Sequence, residues 1–276
     1  MVNQKWCLAG LIFGVLALWH CGGNQGRAAA EKLVITGSST VAPLIAEMGR
    51  RYEKEHPGVR IDVQTGGSSR GVRDAARGLA DIGMVSRALK AEDGALMPFT
   101  IGHDGIGLIV HRSNQVPALS REQVIAIYKG EITHWGEVGG PDLPITVVSK
   151  ADGRSTLELF LAHYGLKNSD IRAQIIIGDN EQGVKTVAGN PGALGYVSIG
   201  TAEYDIEQGV PLRLLPVNGV AATRANVANG TFPLSRPLNL VTNKAPEGLV
   251  KSFIEFAQSK DVFDIIEDLY FVPLSK

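Results

Sequence analysis

The chain has 276 residues, 44% of them hydrophobic and 20% charged, with a formal net charge of −1 and two cysteines. Cys7 and Cys21 both fall within the first thirty residues, so the remainder holds no disulfide, reactive thiol or cysteine metal site. Lys5 and Arg27 also lie there and no acid does, which leaves 25 basic against 28 acidic residues, a balance that excludes nucleic acid or an anionic membrane as the main partner.

Lys5 opens an apolar run from Trp6 to Trp19, too short to span a bilayer and of the length of a secretory signal core. Two cuts compete. Leu18-Trp19-His20-Cys21-Gly22-Gly23 fits a lipoprotein signal whose Cys21 is lipidated, although Trp19 and His20 are bulky for that position. Ala28-Ala29-Ala30 offers an ordinary cut before Glu31. Either way residues 1–30 read as a leader that sends the chain to the periplasm or cell surface.

Strand and helix signals then alternate, which predicts an α/β architecture. Residues 33–36 read as a strand, 41–56 as a helix stopped by Pro57-Gly58, 59–63 as a strand, 71–79 as a helix, and 81–86 and 106–110 as strands. Beyond Asn114, a capping box at Ser120 and Gln123 opens a helix over 123–128. A strand at 145–148, a helix at 156–164, a strand at 173–177, a helix at 183–188 and a strand at 194–197 complete a middle lobe. A strand at 238–241 and helical stretches at 246–259 and 262–268 follow. The expected division is 31–113 with 225–276 as one lobe and 114–224 as the other.

Three strand-to-helix turns are rich in glycine and hydroxyls: Gly37-Ser38-Ser39-Thr40, Gly66-Gly67-Ser68-Ser69, and Asp152-Gly153-Arg154-Ser155-Thr156. A helix N-terminus presents unpaired N–H groups and partial positive charge, glycine lets a ligand approach the backbone, and hydroxyls add donors without net charge. Their recurrence points to helix ends converging on one small oxyanion. Gly67-Ser68-Ser69-Arg70-Gly71 also fits the G-x-S-x-G nucleophile elbow, so a secreted hydrolase using Ser69 is the enzymatic alternative. That fold needs a histidine downstream, and the last one is His163. The histidines show no metal-ligand spacing and there is no G-x-x-x-x-G-K-[ST] loop, so neither metal, cofactor nor nucleotide chemistry is expected. Arg70, Arg73 and Arg77 read as a solvated helical stripe, and Trp135 and Tyr196 as packing residues.

The residues then carry a family resemblance. Ile35 to Leu44, Gly66 to Gly71, Asp81 to Arg87, Tyr128 to Trp135, Pro191 to Val197 and Pro233 to Leu238 resemble, in order, the phosphate-binding PstS-like proteins of bacterial phosphate ABC transporters. The resemblance implies a two-lobed periplasmic-binding-protein-like fold (type II), phosphate in the interlobe cleft, delivery to ABC permease subunits, and a monomer, with or without a lipid anchor. It also implies anion contacts from Ser39, Thr40, Ser68, Ser86 and Arg87. Where the family has Arg-x-Asp-Gly-Ser-Gly-Thr, this chain has Lys150-Ala151-Asp152-Gly153-Arg154-Ser155-Thr156. Lys150 is a point charge in place of a bidentate guanidinium. Either the guanidinium has moved to Arg154 with Ser155 and Thr156 beside it, the favoured reading, or the pocket suits another oxyanion, or serves a sensor. Monohydrogen phosphate donates one hydrogen bond and sulfate none, so a site carboxylate would discriminate them. Asp104 is the first candidate, Asp81 the second, and Asp152 is expected to orient Lys150 or Arg154.

Overall fold

The computed structural model describes residues 31–274. The leader, with both of its cuts and the lipidation of Cys21, lies outside the described residues. Glu31–Gly37 forms β1, Ala42–Glu55 α1, Val59–Thr65 β2, Ser68–Ala76 α2, Ile82–Val85 β3 and Met97–His111 β4. Arg121–Tyr128 is α3, Thr146–Lys150 β5, Ser155–Tyr164 α4, Ile175–Ile177 β6, Asn180–Ala188 α5 and Ala193–Ser198 β7. Ile199–Glu207 (α6), Leu212–Leu215 (β8), Arg224–Ala228 (α7), Ser235–Thr242 (β9), Gly248–Gln258 (α8) and Phe263–Asp268 (α9) complete the chain.

Local chemistry sets these boundaries. Pro43 sits in the first turn of α1, where its missing N–H costs nothing, and the helical spacing of Leu44, Ile45, Met48 and Tyr52 gives one fully buried face. In α3 the Ser120 hydroxyl accepts from the Gln123 amide while the Gln123 side chain accepts from the Ser120 amide, the reciprocal cap read from the sequence.

The strands run in the order β2-β1-β3-β9-β4-β7-β5-β6, with β8 paired to β4. β1 is parallel to β2 and β3, whereas β9 is antiparallel to both β3 and β4. Two main cores flank this path. Leu33, Ile35, Leu44, Met48, Ile101, Leu238, Leu240 and Phe253 pack in the first. Ile106, Leu108, Tyr128, Trp135, Phe160, Tyr196, Phe232 and Leu234 pack in the second. The fold is a two-lobed α/β structure in which β4 contributes to both cores and β9, paired to it, follows a segment of the second core.

The packing departs from the expected boundaries at 113/114 and 224/225. Along β4 the buried side chains change core between Ile101 and Ile106, and before and along β9 between Leu234 and Leu238. The reason is the length of β4: its 15 residues pair first with β9 and then with β7 and β8. Residues 97–105 read poorly as strand because Pro98, Gly102, His103, Asp104 and Gly105 interrupt any apolar alternation.

Candidate anion-binding site

Two of the three turns leave from the adjoining ends of β1 and β2, and the end of β3 lies on the other side of β1. Gly37 (φ +135°) makes this approach feasible, since a Cβ there would lie 2.3 Å from the Met84 carbonyl oxygen and 2.9 Å from Gly71 Cα. Ser38 Oγ accepts from the amides of Thr40 (3.2 Å) and Val41 (3.4 Å) and bonds Ser86 Oγ at 3.0 Å. Ser68 Oγ, on the first residue of α2, accepts from the Ser86 amide at 3.1 Å. Four buried hydroxyl residues, Ser38, Thr40, Ser68 and Ser86, are thereby gathered at one end of the first lobe.

The helices that leave the three turns, α1, α2 and α4, have no side-chain cap, a trait shared with α8 and α9 at the far end of the chain. Ser120, Asp179, Ser198 and Thr223 cap α3, α5, α6 and α7. A helix start without a side-chain cap keeps its positive end, which attracts an anion, while the Val41 amide at α1 is taken by Ser38 Oγ and the Ser69 amide at α2 by the Gly153 carbonyl.

Arg236, on β9, joins the two lobes. Its Nη1 donates to Thr156 Oγ1 at 3.0 Å and Ser86 Oγ at 3.4 Å, and its Nη2 to Thr40 Oγ1 at 3.3 Å. Nε and Nη2 both donate to Asp104 Oδ2, at 3.0 and 2.7 Å. The Arg236 and Asp104 side chains are 0% and 1% exposed and face each other in the β4–β9 register. Thr40 and Ser86 belong to the first lobe and Thr156 opens α4 in the second, so one guanidinium spans the cleft.

Lys150, the last residue of β5, is buried and has no carboxylate partner. Its Nζ donates to Asn180 Oδ1 at 3.0 Å and to the Asp179 carbonyl at 3.2 Å. Burial, reinforced by the nearby Arg236 charge, pushes its pKa down to about 7. Asn180 Nδ2 in turn donates to Thr40 Oγ1 at 3.2 Å, which links Lys150 to the ring around Arg236. Ser155 Oγ and Arg154 Nε are buried without a hydrogen-bond partner, the kind of unsatisfied donor that a bound oxyanion completes.

Thr40, Ser68, Ser86, Asp104 and Thr156 of the expected set meet in one bonded cluster, and Lys150 and Ser155 adjoin it. Ser39 is half-buried on a cleft of about 360 Å³ at the mouth, with Pro43, Asp179, Glu181 and Thr201. The Arg154 side chain passes Gly67 and ends near Gly178. Four expectations are corrected. The Arg87 guanidinium is committed to Asp93 at 2.6 and 3.0 Å and to Glu158 at 3.0 Å, so it braces the first lobe instead of facing the ring. Asp104 is held by Arg236 through Oδ2 and by the Gly200 amide through Oδ1 at 3.3 Å, so it positions the guanidinium. Asp81 holds the Val34 amide, and Asp152 accepts from Asn168 with no link to Lys150 or Arg154. Arg236 and Asn180 were not singled out from sequence. A lone charge between the buried Leu234 and Leu238 was the available signal for the first.

Beside the ring, α4 meets the first lobe again at Glu158. Its Oε1 accepts from Ser69 Oγ at 3.2 Å, and its Oε2 lies 2.7 Å from Lys90 Nζ and 3.0 Å from Arg87 Nε. The Ser69 amide donates to the Gly153 carbonyl at 3.2 Å. Ser69 therefore bonds a carboxylate already paired with two cations, not the histidine that a hydrolase requires. Trp135 and Tyr196 are fully buried, Trp135 donating to the Gly192 carbonyl and Tyr196 stacked on Phe160. Among the described residues there is no cluster of three metal-ligating side chains, and no helix is long and apolar enough to cross a membrane.

The model of the PBP superfamily domain matches residues 22–261. The phosphate-binding protein PstS of Bacillus subtilis is 28% identical over 90% of this chain and 82% of its own. That of Borreliella burgdorferi is 29% identical over 93% and 94%. A putative phosphate ABC transporter substrate-binding protein from Clostridium perfringens, solved with bound phosphate, is 33% identical, covers 89% of this chain and 100% of its own, and superposes with a TM-score of 0.82. An ABC-type phosphate transport receptor from Vibrio cholerae is 30% identical with a TM-score of 0.71, covering 87% and 99%. With the motifs in family order on a matching two-lobed fold, the chain belongs to the PBP superfamily and, within it, to the PstS-like substrate-binding proteins.

Proposed function

We propose that this protein is an extracytoplasmic receptor that captures inorganic phosphate between its lobes and hands it to the permease of an ABC transporter. The observation that carries the reading is the Arg236 ring, in which one buried guanidinium binds hydroxyls of both lobes beside three uncapped helix N-termini. Thr40, Ser68, Ser86, Ser155 and Thr156 supply neutral donors; Arg236, Lys150 and Arg154 supply charge; Asn180 and Asp104 position Lys150 and Arg236. Ser39 adds contacts at the mouth, and Arg87 supports the closed form through Glu158. Export by the leader, with or without a lipid on Cys21, and action as a monomer belong to the same reading. So does the division into lobes at β4 and β9.

Isothermal titration with phosphate, arsenate, sulfate and molybdate tests it. Phosphate binding near 1:1 is expected, and the absence of heat and of thermal stabilisation with every tetrahedral oxyanion would sink the reading. The altered third turn favours a second one, a receptor or sensor of another oxyanion, which sulfate or molybdate binding in preference to phosphate would establish.

A further inference from the structure

The carboxylates bonded in or beside the ring are already engaged. Asp104 is held by Arg236 and the Gly200 amide, and Asp93 by Arg87 and the Lys90 amide. Asp179 caps the Gln182 amide, and Asp152 faces Asn168 in solvent. Inside the ring an oxyanion that carries a proton therefore meets hydroxyls and cations, with Asp104 held by Arg236 and the Gly200 amide, while Glu181 of α5, with no partner among the described residues, lines the cleft at the mouth.

Lys150 differs from the other cations. A guanidinium offers only donors at any accessible pH, whereas an amine nitrogen can either donate or accept. Of the four tetrahedral positions on Lys150 Nζ, one is the bond to Cε and two are directed at Asn180 Oδ1 and the Asp179 carbonyl. The fourth is a third N–H in the ammonium form and a lone pair in the amine form. The groups that face this side chain are Arg236 from β9, Arg154 ahead of α4, Asp179 ahead of α5, and Tyr196 of β7, whose hydroxyl accepts from the Lys150 amide. Burial, with the Arg236 and Arg154 guanidinium groups nearby, stabilises the amine, and the Asp179 carboxylate opposes this only in part.

We infer that Lys150 reads the ligand's proton: in the amine form its Nζ accepts the acidic O–H of a protonated tetrahedral oxyanion, and it disfavours an anion that has no proton to give. The inference rests on the receptor function proposed above and supplies the discrimination that the engaged Asp104 does not. It implies that selectivity is itself a function of pH. Phosphate carries at least one proton from pH 6 to pH 8.5 and sulfate carries none. Sulfate then binds only the ammonium form, whose fraction falls about thirtyfold over that range for a group titrating at about 7.

The test is titration of the full chain with phosphate and with sulfate at pH 6 and pH 8.5, for the wild type and Lys150→Arg. The wild type is expected to lose about thirtyfold in sulfate affinity while phosphate affinity changes by less than about threefold. Lys150→Arg is expected to hold a constant ratio of the two affinities. A second readout needs no variant: at pH 8.5, sulfate binding in buffers of different ionisation enthalpy is expected to take up close to one proton per site. Sulfate affinity that is equal at both pH values, or absent at both while phosphate binds, overturns the inference alone. Failure to bind any tetrahedral oxyanion overturns the receptor reading with it.

Discussion

The two lobes touch through two unlike clusters, the ring around Arg236 and the group around Glu158. In the ring a fully buried cation is shared among hydroxyls that can turn to donate or accept, beside unsatisfied donors on Arg154 and Ser155. At Glu158 a single carboxylate, partly exposed, already holds Lys90, Arg87 and Ser69, and nothing remains for a ligand to complete. The first cluster has chemistry left over for an anion, and the second closes on itself. The difference separates recognition from closure: the ring gives affinity its chemical identity, while Glu158 biases the lobes toward meeting.

The sharpest way to break that division is Arg236→Ala. Removing the guanidinium should lower anion affinity at least about hundredfold, because several charge-assisted bonds disappear together. It should also destabilise the fold by about 3–5 kcal/mol by leaving Asp104 buried and unpaired. Titration calorimetry and thermal melting check both effects. Pairing Arg236→Met with Asp104→Leu should recover stability without recovering binding, and recovery of both would erase the distinction.

Lys150 sharpens the ring side without any ligand. Its pKa in the fold, about 7, lies below the ordinary lysine value of 10.5, so between these values the unfolded chain binds more protons. The contribution to stability therefore rises as pH increases through that window, by at most about 1.4 kcal/mol per pH unit. Denaturant melts at pH 7 and pH 9 should show the wild type gaining on Lys150→Met. A parallel pH response of the two proteins would place the amine elsewhere.

Glu158→Gln addresses closure. Each partly exposed ion pair contributes only about 0.2–1 kcal/mol, so the loss in apparent phosphate affinity should be about threefold to tenfold, seen chiefly as faster release in stopped-flow. The phosphate-to-sulfate ratio should not move. The smallest effect belongs to Ser69→Ala, which removes one neutral donor and should cost about twofold in affinity. A change in anion preference with either variant would show that Glu158 takes part in recognition.

The sequence made the hydroxyl turns legible because strand, glycine and helix signals stood together around Thr40, Ser68 and Thr156. It did not reveal Arg236, which lies on a crossover strand and acts through partners 80 to 196 residues away. Asn180 was hidden because its helix read as starting at Gly183, whereas Asp179 caps a helix that begins three residues earlier, at Asn180. Arg87 was misassigned for a different reason. The family resemblance implied an anion contact there, but the chain folds back and sets Asp93 against the guanidinium. Local patterning predicted which residues stand at element ends, and long-range charge pairing decided where their side chains point.

Gly67 adds a mechanical limit. Its φ is +90°, and a Cβ there would lie 2.5 Å from the Gly153 carbonyl oxygen of the opposite lobe. Backbone meets backbone at that point, and the neighbouring Ser69 amide donates to the same carbonyl. Any side chain at position 67 would therefore push the turn after β2 away from the turn before α4 and draw Ser69 off Glu158.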